Sequence, residues 1–133
     1  KWSKNSSRKL NTCHKILIDF FEDLIKIIPI DLTILYGYRG KTLQNGFYEA
    51  GTSKKKFPHS KHNSKPSFAI DIAPYINGSV SWEKPYFLFI GGFILAEANR
   101  KGVKLRWGGS WSGNPTEIGH QKFDDLGHFE LIL

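Results

Sequence analysis

Apolar residues recur every three to four positions at Leu10, Cys13, Leu17, Phe20 or Phe21, Leu24 and Ile28. That period predicts one amphipathic helix, with Ser6 or Ser7 as its cap and Pro29 at its end. Residues 32–36 read as a strand, left by the turn Gly37-Tyr38-Arg39-Gly40. Thr42 can cap a short helix over 43–50, closed by Gly51, although Gly46 inside it costs about 1 kcal/mol. A polar loop over 52–66 delivers His62, and 67–73 is a strand that carries Asp71 among apolar neighbours. After a loop over 74–83 comes an almost wholly apolar helix over 84–101, stopped by Gly102. Residues 103–107 alternate as a third strand, with Val103, Leu105 and Trp107 on one face. A Gly-, Trp- and Asn-rich loop over 108–121 follows. The final strand, from about 127, puts His128 and Glu130 on one face and Phe129, Leu131 and Leu133 on the other. No repeat or interdomain linker interrupts this order. The expectation is an α+β fold, a small, mainly antiparallel sheet flanked by helices, in one domain over 1–133.

Composition narrows the class. The 133 residues are 40% apolar and 23% charged, which is globular and excludes disorder. A single cysteine, Cys13, excludes an intrachain disulfide and a Cys-rich zinc finger, and its place in the apolar pattern reads as a buried thiol. The longest apolar stretch, 86–98, is too short to span a bilayer and contains Gly91-Gly92. The Lys-, Ser- and Asn-rich start shows no signal-peptide pattern, and the lack of any methionine means the initiator is not in this sequence. The net charge of +7, with Lys54-Lys55-Lys56 in a loop, suits attraction to a polyanion such as nucleic acid, an anionic cell wall or a membrane surface. It suits a merely solvated loop equally well. No basic-aromatic array at strand spacing supports nucleic-acid binding.

Asp71 is costly inside a strand-like apolar run unless its charge is compensated. Two imidazoles and that carboxylate, from His62, His128 and Asp71, make a three-ligand tetrahedral zinc site with its fourth position open for water. Asp125, three residues before His128, suits a general base beside it, because amide hydrolysis needs a group that moves a proton from water to the leaving amine. Spacing leaves two rivals open: His59, three residues before His62, and Asp124, next to Asp125. His14 and His120 read as structural or exposed.

The motifs Ser60-x-His62, Ala69-x-Asp71 and Asp125-x-x-His128 with Phe129-Glu130-Leu131 occur in one order with Gly37-Tyr38-Arg39, Gln44, Arg106-Trp107-Gly108-Gly109 and Trp111. Ser7-Arg8-Lys9-Leu10 with His14 opens the set. Together they resemble the D-alanyl-D-alanine carboxypeptidase/L-alanyl-D-glutamate peptidase family of zinc peptidases, in particular its bacteriophage endolysin branch, over nearly the whole chain. The resemblance implies a hedgehog/D-Ala-D-Ala-peptidase-like fold, zinc held by His62, Asp71 and His128, and Asp125 as the base. It also implies that Arg39 holds a substrate carboxylate or the developing oxyanion. Gln44 and Ser60 would contact substrate, and Trp107 and Trp111 would wall the cleft, where core burial is the competing reading for both tryptophans. Eight residues separate His62 from Asp71, two more than in the commonest family form. Asn63, Pro66-Ser67 and Pro74-Tyr75 match longer-loop phage versions and favour His62 over His59.

The implied partner is bacterial peptidoglycan and the implied reaction is hydrolysis of a stem-peptide amide, the L-alanyl–D-glutamate bond. A D,D-carboxypeptidase is the alternative within the enzymes. A metal-binding, non-catalytic wall-recognition domain is the alternative outside them, and Asp125 argues against it. The same resemblance implies a monomer that accumulates in the host bacterial cytoplasm and reaches the wall once the membrane is permeabilised.

Overall fold

The computed structural model describes all 133 residues. The first apolar period is divided between two helices, α1 (Lys4–Leu10) and α2 (Lys15–Leu24), where the sequence predicts one. The break is made by local hydrogen bonds. Thr12 Oγ1 donates back to the Lys9 carbonyl at 2.6 Å, and the His14 amide leaves the helix to donate to Ser67 O at 2.8 Å. His14 Nδ1 then accepts from the Ile16 amide at 3.1 Å and caps α2. Ser3 caps α1, while Ser6 is buried and accepts from the Ile34 amide at 3.0 Å, tying α1 to the first strand. The apolar spacing survives the break because both helices turn Leu10, Leu17, Phe21 and Leu24 into the same core.

The sheet comprises β1 (Leu32–Tyr36), β2 (Ala69–Ile76), β3 (Ser79–Val80), β4 (Leu105–Gly108) and β5 (Asp125–Leu131). Its order is β1-β2-β5-β4, with β3 paired to β2, and every pairing is antiparallel. Strand β2 runs through Pro74 into a hairpin where a loop is predicted. Asn77 and Gly78 both take positive φ there, the twist-matched turn for two antiparallel strands. Two further helices are α3 (Lys41–Glu49), which starts after Gly40 instead of at Thr42, and α4 (Lys84–Lys101), which Gly102 ends in the left-handed conformation.

Alternation sorts the sheet into two faces. Ile70 and Ile72 of β2 and Phe129 and Leu131 of β5 join the helices in a cluster of 19 buried apolar residues. Asp71, His128 and Glu130 therefore point to the opposite face, and the register sets Asp71 directly across from His128. A one-residue slip would send these polar groups into the core, so the apolar face enforces the register.

Of the two readings open for Trp107, cleft wall or core, the structure has the core, at 1% exposure. It is stacked with Phe129 at 6.4 Å and donates from Nε1 to Leu126 O at 2.7 Å. Gly91 and Gly109 abut its ring, and a Cβ on either would run into the indole. Gly91→Ala should therefore destabilise the protein by about 1–3 kcal/mol through overpacking, despite alanine's better helix propensity. Gly92→Ala meets nothing and should be neutral or mildly stabilising. Urea denaturation midpoints of the two variants check this, and equal midpoints would contradict the packing account.

Candidate metal centre

Three segments bring the site together. Ser60 caps a short 3-10 turn, Lys61–Asn63, accepting from the His62 amide at 3.2 Å, while Asn63 Oδ1 accepts from the Ser60 amide at 3.0 Å. This box fixes the backbone that carries His62, whose side chain is fully buried. Asp71 and His128 arrive from adjacent strands in register.

The three side chains converge on one point. His62 Nε2 lies 3.3 Å from His128 Nδ1 and 3.2 Å from Asp71 Oδ2, and His128 Nδ1 lies 3.1 Å from Asp71 Oδ1. The other ring nitrogens are already committed. His62 Nδ1 is 2.7 Å from the Gly37 carbonyl, which can only accept, so this nitrogen donates. His128 Nε2 donates in the same way to Glu130 Oε1 at 2.8 Å. With those nitrogens donating, His62 Nε2 and His128 Nδ1 face each other and Asp71, and once deprotonated they offer two lone pairs beside a carboxylate, an arrangement that a bound cation satisfies. Glu130 is itself held by Arg106 Nη2 at 2.6 Å and Lys61 Nζ at 3.3 Å. His62, Asp71 and His128 thus form a possible metal-binding triad, and its outer partners orient both imidazoles.

The electrostatics suit the same purpose. Burial raises the carboxyl pKa of Asp71, but the charge of His62 and the hydrogen bond from His128 outweigh it and hold Asp71 ionised well below the usual range. Burial disfavours a charged His128, yet hydrogen bonds to Asp71 and Glu130 push its pKa up to about 9 without metal. Burial works against ionised Glu130 as well, and the hydrogen bonds from His128 and Arg106 bring it down to about 2. Burial followed by the charge of Asp71 raises Asp125 above the ordinary carboxyl value.

Metal uptake must displace the His128 proton. Apparent metal affinity should then rise about tenfold per pH unit below pH 9 and level off above it. In the metal-free chain the sign is opposite. A folded-state pKa above the ordinary 6.5 stabilises the fold fully below pH 6.5, and this contribution is lost as pH rises through about 9. Competition with a chromophoric chelator from pH 6 to 10 checks the affinity trend. A flat profile would show that His128 is not charged in the metal-free site.

The remaining sequence-predicted residues fall into two groups. Asp125, at the start of β5, places Oδ2 3.8 Å from His128 Nδ1 at the rim of the triad. Arg39 lies over the rings of Tyr36 and Phe47, with Nη1 3.7 Å from Asp71 Oδ2. Its Nε is buried without a hydrogen-bond partner. Trp111 tilts against His128 at 5.5 Å and donates from Nε1 to Phe123 O at 2.9 Å. With Ser60 these three line a cavity of about 360 Å³ over the triad. Gln44 does not reach that cavity. It is fully buried and donates to Ser53 Oγ at 2.9 Å and Lys55 O at 2.6 Å, bracing the loop above. Asp124 is exposed and bonded to Gln121 Nε2 at 2.8 Å, and His59 and His120 are exposed outside the triad. Glu130, Arg106 and Lys61 were not assigned roles by sequence reasoning. The signal for Glu130 was the period of β5, which sets it on the face of His128.

Comparison with known proteins gives the family and the fold. Residues 1–132 match the family described as phage L-alanyl-D-glutamate peptidase. The L-alanyl-D-glutamate peptidase of Escherichia phage T5 is 32% identical over 136 residues, covering 99% of this chain and 98% of that protein. The crystal structure of the Serratia marcescens L-Ala D-Glu endopeptidase ChiX has the same fold. Its TM-score is 0.79, over 98% of this chain and 89% of that one, at 24% identity. With the match spanning all but the last residue and every strand of the sheet, this chain belongs to the phage L-alanyl-D-glutamate peptidase family.

Proposed function

We propose that this protein is a zinc-dependent peptidase that hydrolyses the L-alanyl–D-glutamate bond of peptidoglycan stem peptides. The observation that carries the reading is the convergence of His62, Asp71 and His128 in a chain of this family. Zinc is favoured by the donor set and by its spacing. Ligand atoms about 2.0–2.1 Å from a tetrahedral zinc lie about 3.3–3.4 Å apart, close to the 3.1–3.3 Å found between the three side chains. When bound, zinc supplies Lewis acidity and lowers the pKa of water toward neutrality.

The protein's own groups do the rest. Asp125 takes the proton from the attacking water and passes it to the leaving amine of D-glutamate, a task for which its raised pKa suits it. Arg39 faces the negative charge that develops on the substrate. Glu130 and the Gly37 carbonyl hold the two imidazoles in the tautomers the site needs.

The family resemblance supports action as a monomeric catalytic domain. Family membership supports synthesis in a bacterial host and action on its wall after the membrane is permeabilised. No helix is long and apolar enough to cross a membrane. Titration of the metal-free protein with zinc, followed by release of amino groups from purified peptidoglycan, tests the reading. Activity should appear with one zinc per chain and vanish on chelation, and activity indifferent to chelation would overturn it.

A further inference from the structure

Two cavities of different lining adjoin the triad, and the first holds the rings of Trp111 and Phe123 beside its cations. The first, of about 360 Å³, is lined by the cations Arg39, Lys54, Lys55, Lys61 and Arg106. The second, of about 290 Å³, is walled by Leu35, Tyr36, Trp82, Phe87 and Leu126. Asp125 lines both, His128 the first and Asp71 the second, so the two adjoin at the site and can serve as two arms of one groove.

The cations of the first arm are not equally occupied. Lys61 and Arg106 are spent on Glu130, and Arg39 faces Asp71. Lys54 and Lys55 are exposed and pair with no acid, and Lys54 Nζ rests 5.3 Å above the Phe123 ring. The loop that presents them is braced from below. Buried Gln44 holds Ser53 and the Lys55 carbonyl, and Asn45 Oδ1 accepts from the Phe57 amide at 2.9 Å. In the second arm, Trp82 is 69% exposed and stacks on Phe87 at 6.1 Å. Apart from the carboxylates of the centre, its charged lining is one group of each sign, Lys84 and Asp124.

The stem peptide is just as asymmetric about the bond in question. Its acyl side is L-alanine joined to the lactoyl group of a sugar, with two methyls and no charge. Its amine side is D-glutamate, which continues through its γ-carboxyl and keeps the α-carboxylate free. Resting on the function proposed above, we infer that the groove fixes the direction of the substrate. The D-glutamate side lies in the cationic arm, its α-carboxylate held by Lys54 and Lys55, and the muramoyl-L-alanyl side lies against Trp82 in the aromatic arm. Gln44 acts here as a positioning residue, because it holds the loop that carries both lysines.

Two muramoyl tripeptides that differ only in whether the D-glutamate α-carboxyl is free or amidated test this. The wild-type chain should prefer the acid about tenfold in kcat/KM, the order of one charge-assisted hydrogen bond. The double variant Lys54→Ala/Lys55→Ala should collapse that preference toward one, through KM. Trp82→Ala should keep the preference while raising KM for both muramoyl peptides. Calorimetry gives a second readout with the product fragment γ-D-glutamyl-lysine and zinc-loaded protein. Its binding should weaken about tenfold in the lysine variant and not in Trp82→Ala. The reverse pattern would show that the peptide runs the other way. An acid preference that survives loss of both lysines would remove them from recognition of the carboxylate. Wild-type cleavage at a different bond would overturn the proposed function itself, and the inference with it.

Discussion

His62→Ala and His128→Ala should each abolish stoichiometric metal binding, and hydrolysis with it. Each imidazole is one of only three side chains that converge on the centre, and no other His, Cys, Asp or Glu completes a set there. Loss of an outer partner alone typically costs about 10–100-fold in metal affinity, so loss of a ligand should cost more than about 100-fold. His62→Ala also leaves Asp71 largely buried with one compensating group fewer, which should lower thermal stability as well. Metal analysis after dialysis reads the effect directly. His59→Ala, at an exposed position outside the triad, should retain one metal per chain. Full metal in His62→Ala with none in His59→Ala would place the centre on the wrong histidine.

The second large effect separates hydrolysis from binding. Asp125 stands at the rim of the triad and outside it, 3.8 Å from His128 Nδ1. Asp125→Asn preserves size and should keep both fold and metal while reducing turnover by about 10²- to 10⁴-fold, the usual cost of a lost general base. Asp124→Asn, whose carboxylate is exposed and bonded to Gln121, should remain largely active. Metal content and amino-group release measured on both variants decide between outcomes. Loss of metal in Asp125→Asn would make that carboxylate a ligand and reopen the role of Asp71. Full activity with full metal would remove Asp125 from the chemistry.

The triad was legible because strand alternation and motif order act on the same residues. An acid inside the apolar run of β2 and a histidine on the polar face of β5 need only antiparallel pairing to meet, and the core face supplies the register. The break between α1 and α2 was not legible in the apolar period, since both halves bury the same stripe. The hydrogen bonds that break it reach Ser67, far along the chain. Trp107 and Trp111 look alike in sequence, yet pairing across β4 and β5 puts Trp107 beside Phe129 in the core. Trp111, beyond the end of β4, is left against His128. Gln44 reads as a cleft residue by its place in the motif, but its helix faces the basic loop and buries it. Glu130 escaped a role because its partners, Arg106 and Lys61, come from two other segments.

Mass spectrometry of purified peptidoglycan digested with the zinc-loaded protein identifies the cut bond. The predicted products are glycan-linked muramoyl-L-alanine and free peptides that begin with D-glutamate, both absent with Asp125→Asn. Release of terminal D-alanine alone would instead identify a carboxypeptidase, and an undigested wall would contradict hydrolysis altogether.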